Sequence, residues 1–207
     1  RAAWSPDMGY AVVDPEVADL SRGAAEALVV AAGLELVERP FSPTNPMRTW
    51  QSAGAADLWM ELEEGMWPAR QDDFTGLVRA TLRRSESWTL PRYARALRHR
   101  QRMEEEVAAL FVDVDVLLTP TTAVTAFDAA GPLPMEIAGH DASASGPAPF
   151  TMLANLCWNP AVSLPAGTSS AGLPVGLQVM ARRHADDVVL RLARLFEQAR
   201  PWPRLAP

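Results

Sequence analysis

Residues 159–180 read Asn-Pro-Ala-Val-Ser-Leu-Pro-Ala-Gly-Thr-Ser-Ser-Ala-Gly-Leu-Pro-Val-Gly-Leu-Gln-Val-Met. Two short apolar runs, 161–164 and 175–180, enclose a stretch rich in Pro, Gly, Ser and Thr. Such residues turn a chain back on itself, so the two runs are expected to be adjacent antiparallel strands. Upstream lies Asp115-Val116-Leu117-Leu118-Thr119-Pro120, an unbroken apolar run stopped by proline. That is the pattern of a central strand buried on both faces.

Helical periodicity surrounds these strands. Asp14-Pro15-Glu16 combines an N-cap aspartate, a first-turn proline and an acid on the positive end of the helix dipole. Val17, Leu20, Ala24, Leu28 and Ala31 follow at helical spacing, Gly33 ends the helix, and 34–37 reads as a short strand. After a proline-rich loop at 41–46, a helix carrying Trp50, Leu58 and Leu62 is expected to reach Gly65, and another to run over 72–84. Thr89 and Pro91 open a long helix to about Val112. Residues 121–149 are rich in Gly, Pro, Ala and Ser, long for a structureless connection. A short helix is expected over 149–156 and a last one from Asp186 or Asp187. The tail 201–207 is expected to fray. Helices alternate with strands and no repeat or linker is visible. The chain therefore reads as α/β, one domain or part of one over residues 1–207, with a mixed sheet flanked by helices.

A chain of 207 residues is 48% hydrophobic with a net charge of −6, which argues against a general nucleic-acid partner. No apolar run is long enough for a membrane-spanning helix. One cysteine cannot make an internal disulfide, so a cytoplasmic location is expected. The opening residues, from Arg1, lack an initiator Met and a signal-peptide core, so the chain reads as a piece of something longer. All 19 basic residues are Arg. Chemistry that needs a lysine base, a lysine Schiff base or a phosphate-loop lysine is therefore absent from this chain by itself.

The candidate chemistry is thin. His99, His140 and His184 are far apart and no ligand-spaced pair exists, so no metal is expected. No cofactor is expected either. Ser163 sits in an apolar strand without a Gly-x-Ser-x-Gly elbow, and its hydroxyl is expected to bond backbone within the sheet. Cys157 reads as a buried, inert thiol. The clusters Glu61, Glu63, Glu64 and Glu104, Glu105, Glu106 fall on helices, where a solvated face accounts for them. Asp113 and Asp115 flank the buried strand. Arg92, Arg95, Arg98 and Arg102 form one helical stripe with Arg100 beside it. It could contact phosphate or RNA, or be an exposed helix side in which Arg102 pairs with Glu106 at i,i+4.

Three segments together resemble the C-terminal half of the amidase signature family. They are Trp4-Ser5-Pro6-Asp7-Met8-Gly9-Tyr10 leading to the helix at Asp14, the run from Asp113 through Thr119-Pro120-Thr121-Thr122, and the closing pattern from Asn159 to Met180 followed by Asp186-Asp187. The resemblance spans nearly the whole chain. It implies amide (C–N bond) hydrolysis by a Ser–Ser–Lys triad. A neutral lysine takes a proton through a bridging serine, a second serine attacks the amide carbon, and backbone N–H groups hold the oxyanion. The lysine and the Gly-Gly-Ser-Ser-Gly stretch belong to the family's first half, so no catalytic residue is carried over here. The chain alone is expected to be inactive and to need the missing N-terminal half as its partner, with a small-molecule amide as substrate. A severed half is expected to expose apolar surface and to associate, so a homo-oligomer stays open. Thr119, Thr121, Trp158 and Asn159 are the expected substrate-binding wall, because ligands of α/β folds sit at strand ends and the loops beyond them. Trp158 serves equally well as packing. Where tRNA-dependent members often have Gly-Leu before Pro-Ala, this chain has Trp158 and Asn159. That difference favours a stand-alone amidase over the A subunit of a tRNA amidotransferase. A non-catalytic ligand-binding or scaffold partner is the alternative from another class.

Overall fold

A computed structural model describes residues 1–202. In chain order its elements are β1 (Ala2–Trp4), α1 (Pro15–Ala32), α2 (Met47–Glu61), α3 (Gly76–Ser85), α4 (Leu90–Asp113), β2 (Val116–Pro120), β3 (Glu136–Ile137), β4 (His140–Asp141), α5 (Pro149–Leu156), β5 (Ala161–Thr168), β6 (Pro174–Ala181) and α6 (Asp186–Ala199). The main sheet has the order β1-β2-β6-β5. β1 is parallel to β2, while β2–β6 and β6–β5 are antiparallel, so the sheet is mixed.

Alternation along β2 explains its unbroken apolar run. Val116 and Leu118 point into a core formed with Leu28 of α1 and Phe196 of α6. Leu117 points to the opposite face, into a core with Met103 and Leu110 of α4 and Leu153 of α5. A strand sandwiched between helices on both faces needs apolar residues at every position. Each fully buried Leu or Phe contributes roughly 1.5–3 kcal/mol from removal of apolar surface from water. The result is a helix–sheet–helix sandwich.

Local sequence fixes the ends of α1. Asp14 Oδ1 accepts hydrogen bonds from the N–H groups of Glu16 at 2.9 Å and Val17 at 3.2 Å. Gly33 closes the helix in the left-handed region, φ 61°, where a Cβ would be strained. At α4, Thr89 occupies the capping position in an extended conformation, but its side chain makes no capping bond.

Several expectations change. α2 ends at Glu61, and residues 71–73 form a separate 3-10 turn, so α3 starts only at Gly76. Residues 34–37 do not make a full strand; Leu36 makes a single parallel bridge to Ala2. The strand β1 itself carries too few residues to show a period. The 121–149 stretch holds the small β3–β4 pair. β5 runs past Leu164 to Thr168 through an irregularity between Pro165 and Gly167. Arg102 does not pair with Glu106. The Glu106 carboxylate accepts from the Thr44 N–H at 2.8 Å and its hydroxyl at 2.9 Å, and Arg102 lies 3.3 Å from His99 Nδ1. The expected fraying of 201–207 falls largely on residues outside those described.

Candidate functional site

Strand register places two polar rows on the α4–α5 face of the sheet. In the first, Thr119, Gln178 and Ser163 stand side by side across β2, β6 and β5. Thr119 is fully buried, and its hydroxyl donates to the Pro120 carbonyl at 2.8 Å and accepts from Gln178 Nε2 at 3.3 Å. The same amide nitrogen reaches the Phe150 carbonyl in the first turn of α5 at 3.5 Å. Burying these groups is tolerated because each finds a partner.

The second row begins beyond the end of β2. The Thr121 N–H donates to the Gly176 carbonyl at 2.8 Å, and Gly176 pairs with Pro165. Thr121 Oγ1 lies 2.7 Å from Ser163 Oγ. The two hydroxyls meet over β6 because residue 176 has no side chain. A Cβ there would stand 2.6 Å from Ser163 Oγ and 2.7 Å from Thr121 Oγ1. Ser163 is exposed and Thr121 half-buried. Ser163 therefore bonds a side chain across the sheet, not the backbone as expected from its place in a strand. Each hydroxyl can both donate and accept, so the pair leaves one proton to offer outward. Among the described residues neither hydroxyl has a charged hydrogen-bond partner, so nothing here takes a proton from Ser163.

Trp158 and Asn159 lie at the other end of the sheet. Asn159 Nδ2 donates to the Ala181 carbonyl at 2.7 Å, and Ala181 pairs with Val116 at the start of β2. From Gly176 to Ala181 is five residues along β6, about 17 Å at a rise of about 3.4 Å per residue. The four residues expected to line a site thus form two separate pairs. Asn159 ties α5 to the sheet and also borders a 490 Å³ cavity whose walls include Gln101, Glu104, Phe111 and Arg183.

Trp158 is 67% exposed, at φ 57°. The Arg100 guanidinium stacks 4.7 Å from its ring. Arg100 and Arg183 donate to the carbonyls of Leu156 and Cys157 at the end of α5, each at 2.7 Å. Glu104 joins them, 3.4 Å from Arg100 and 3.1 Å from Arg183. Two cations thus close the negative end of a helix, held by one carboxylate. Beneath them Cys157 is fully buried. Burial first, and then the Glu104 charge, push its thiol up to about 12. Tyr10 is also raised, by burial and then by Cys157. A thiol in that state is not a nucleophile at neutral pH.

Sequence reasoning found Thr119 and Thr121 but missed their partners Gln178 and Ser163. The usable signal was Gly176 opposite the β5 strand, a small residue where a strand pair would otherwise carry a side chain. Among the described residues, no group of three His, Cys, Asp or Glu side chains is placed to hold a metal. No helix of the described residues is long and apolar enough to cross a membrane.

Comparison with known proteins adds a family. Residues 1–190 match the model described as Amidase. An acylamidase of Rhodococcus erythropolis is 31% identical over the whole of this chain and 44% of its own length. The A subunit of the glutamyl-tRNA(Gln) amidotransferase of Synechococcus elongatus is 38% identical over 53% of this chain and 22% of its own length. Among solved structures, a bacterial aryl acylamidase superposes with a TM-score of 0.76 at 24% identity, covering 97% of this chain and 44% of that one. That likeness speaks to the fold alone. The chain spans less than half the length of these relatives.

Proposed function

The chain belongs to the amidase family, and from that premise we propose that it is the C-terminal portion of an enzyme that hydrolyses a carboxamide by Ser–Ser–Lys acyl-enzyme chemistry. The triad lies outside this chain, which has no lysine at all. A neutral lysine base, a bridging serine and an attacking serine come from the remainder of the protein. This portion supplies the sheet core and a wall of the substrate pocket.

One observation carries the reading. The Thr121–Ser163 hydroxyl pair stands open to solvent on the sheet face with no charged partner of its own. A built polar pair without base or acid suits a surface that positions an amide and does not attack it. Thr121 follows a central strand, the position at which α/β folds hold ligands. Thr119 supports this wall from beneath. Trp158 and Asn159, at the far end of the sheet, are proposed to contact only a substrate long enough to reach them.

The test compares the full-length protein with this chain alone on a chromogenic anilide and a series of small and aromatic amides. Turnover is expected only from the full-length protein. Ser163→Ala and Thr121→Val are expected to change kcat/KM unequally across the amides, and Trp158→Ala to change it only for the largest. Turnover by the isolated chain sinks the account of an external triad. Uniform effects across every amide sink the pocket wall. Activity that requires a tRNA-bound acceptor would move the protein to the amidotransferase branch, which the Synechococcus relative keeps open.

A further inference from the structure

Arg22, Arg39, Arg70, Arg79, Arg100, Arg183 and Arg194 pair with carboxylates. Of the described arginines whose side chains pair with no carboxylate, Arg48, Arg84, Arg92 and Arg95 lie in the groove where α2, α3 and α4 meet, while Arg83, Arg98, Arg102, Arg182, Arg191 and Arg200 line neither of its hollows. A 340 Å³ hollow is lined by Arg48, Arg84 and Arg92 together with Gln51, Ser52 and Trp88, and no carboxylate faces it. A second hollow of 340 Å³ continues along α4, sharing Arg48 and Arg92 and adding Arg95 and His99. The first turn of α4 ends here. It holds no acidic residue and no side-chain cap, so the positive end of the helix adds to the same field. Uncompensated positive charge gathered in a protein of net charge −6 has a cost in mutual repulsion that an anion removes.

Trp88 also forms a wall of a neighbouring groove of 650 Å³. That groove is lined by Trp59, Met60, Leu90 and Tyr93, of which Met60 and Leu90 are each 78% exposed. Its one carboxylate, Glu86, is engaged by the Trp67 indole N–H. Arg92 stacks 4.2 Å over the Trp88 ring, at the boundary between the apolar and the cationic hollow. An apolar trough that opens directly onto three unpaired guanidinium groups matches a ligand with an apolar body and an anionic head.

We propose that this groove binds an amphiphilic carboxylate. Its head pairs with Arg48, Arg84 and Arg92, whose planar guanidinium groups match a carboxylate through two parallel hydrogen bonds. Its apolar body lies along Trp59, Met60 and Tyr93. The cations fix the orientation and the trough supplies burial of apolar surface.

Dodecanoate is the probe, titrated below its micelle concentration into the full-length protein by calorimetry, beside dodecanol, dodecyltrimethylammonium, acetate and inorganic phosphate. Dodecanoate is expected to bind at least tenfold more tightly than each of the others and to weaken as salt rises. Arg48→Glu combined with Arg92→Glu is expected to lose at least tenfold, and Met60→Asp to weaken dodecanoate while leaving phosphate unchanged. All of these residues are exposed, and circular dichroism checks that the variants fold; the wild-type ligand series needs no variant. Dodecanol binding as tightly as dodecanoate overturns the proposal, because the groove is then only an apolar patch. Phosphate matching dodecanoate also overturns it, as does an unchanged affinity in the charge-reversed protein. So does a dimer that buries this groove and excludes every probe. Binding is read without turnover, so these outcomes do not depend on amide hydrolysis.

Discussion

Ser163 and Thr121 hold their hydroxyl oxygens 2.7 Å apart above Gly176, which has no side chain to separate them. The bond links β5 to the loop beyond β2 across the intervening strand. Gly176→Ala puts a methyl group 2.6 Å from Ser163 Oγ and 3.0 Å from Thr121 Cβ. The serine can rotate away, but the threonine Cβ is fixed to the backbone. The expected cost is about 1–3 kcal/mol of overpacking, measured by urea unfolding. Ser163→Ala in the Gly176→Ala background is expected to recover at least about 0.5 kcal/mol, since the two sites share one space. Additive costs would show that the hydroxyl pair is not what excludes a side chain.

Trp158 takes a backbone conformation that suits glycine, φ 57°, with its ring mostly in water and stacked on Arg100. Trp158→Ala loses the stacking, worth about 0.5–1 kcal/mol at an exposed site, and keeps the strain. Trp158→Gly loses the same contact but relieves the left-handed strain. The glycine variant is expected to be more stable than the alanine variant by roughly 0.5–1 kcal/mol, after allowing for glycine's greater freedom when unfolded. Thermal unfolding of the pair decides. An alanine variant equal to or better than glycine would mean that the loop relaxes and no strain is stored.

These two sites show what the sequence could and could not reveal. The β5–β6 pairing and the buried β2 strand were legible, because alternation, proline stops and turn residues are local signals. The burial of Cys157 was legible for the same reason, as a thiol within an apolar run. The Thr121–Ser163 bond was not, because the two residues are 42 positions apart and the irregularity at Pro165 and Gly167 hides the register. Nor was the division of the four expected site residues into two ends of the sheet. Thr119 lies near the end of β2 and Asn159 just before the start of β5, and because both strands are antiparallel to β6 they run the same way, which puts that end and that start at opposite ends of the sheet. The pairing of Arg100 and Arg183 around Glu104 joins segments about 80 residues apart, and a stripe of arginines read along one helix gives no sign of it.

Glu104 holds two guanidinium groups, each already bonded to a carbonyl at the end of α5. Glu104→Gln keeps the shape, removes the charge and leaves Arg100 and Arg183 facing each other. The expected loss is about 1–2 kcal/mol, between an exposed ion pair and a buried one. Adding 1 M salt, which screens the repulsion, is expected to reduce the difference between the two proteins. A variant as stable as the parent at low salt would show that the arginines are held by the carbonyls alone.

The Cys157 thiol gives a pH dependence whose sign follows from its surroundings. Burial raises it first and the Glu104 charge second, to about 12 from 9.0. Above pH 9 the unfolded chain releases this proton and the folded chain keeps it, so the unfolded state binds fewer protons and stability falls as pH rises. The slope from this group approaches about 1.4 kcal/mol per pH unit at most, between the two values. Tyr10, raised by its own burial and by Cys157, adds in the same direction above its ordinary value of 10.0. Urea midpoints are therefore expected to be level from pH 7 to 9 and to drop beyond. Cys157→Ala is expected to remove part of that drop, and Glu104→Gln, by lowering the folded thiol's value, to leave the onset where it is and make the drop smaller. Iodoacetamide at pH 8 is expected to leave the native protein unlabelled and to modify it only in urea. Rapid labelling of the folded protein would show that the thiol is open to solvent and ionised well below 12, and the account of a sealed α5 end would fail with it.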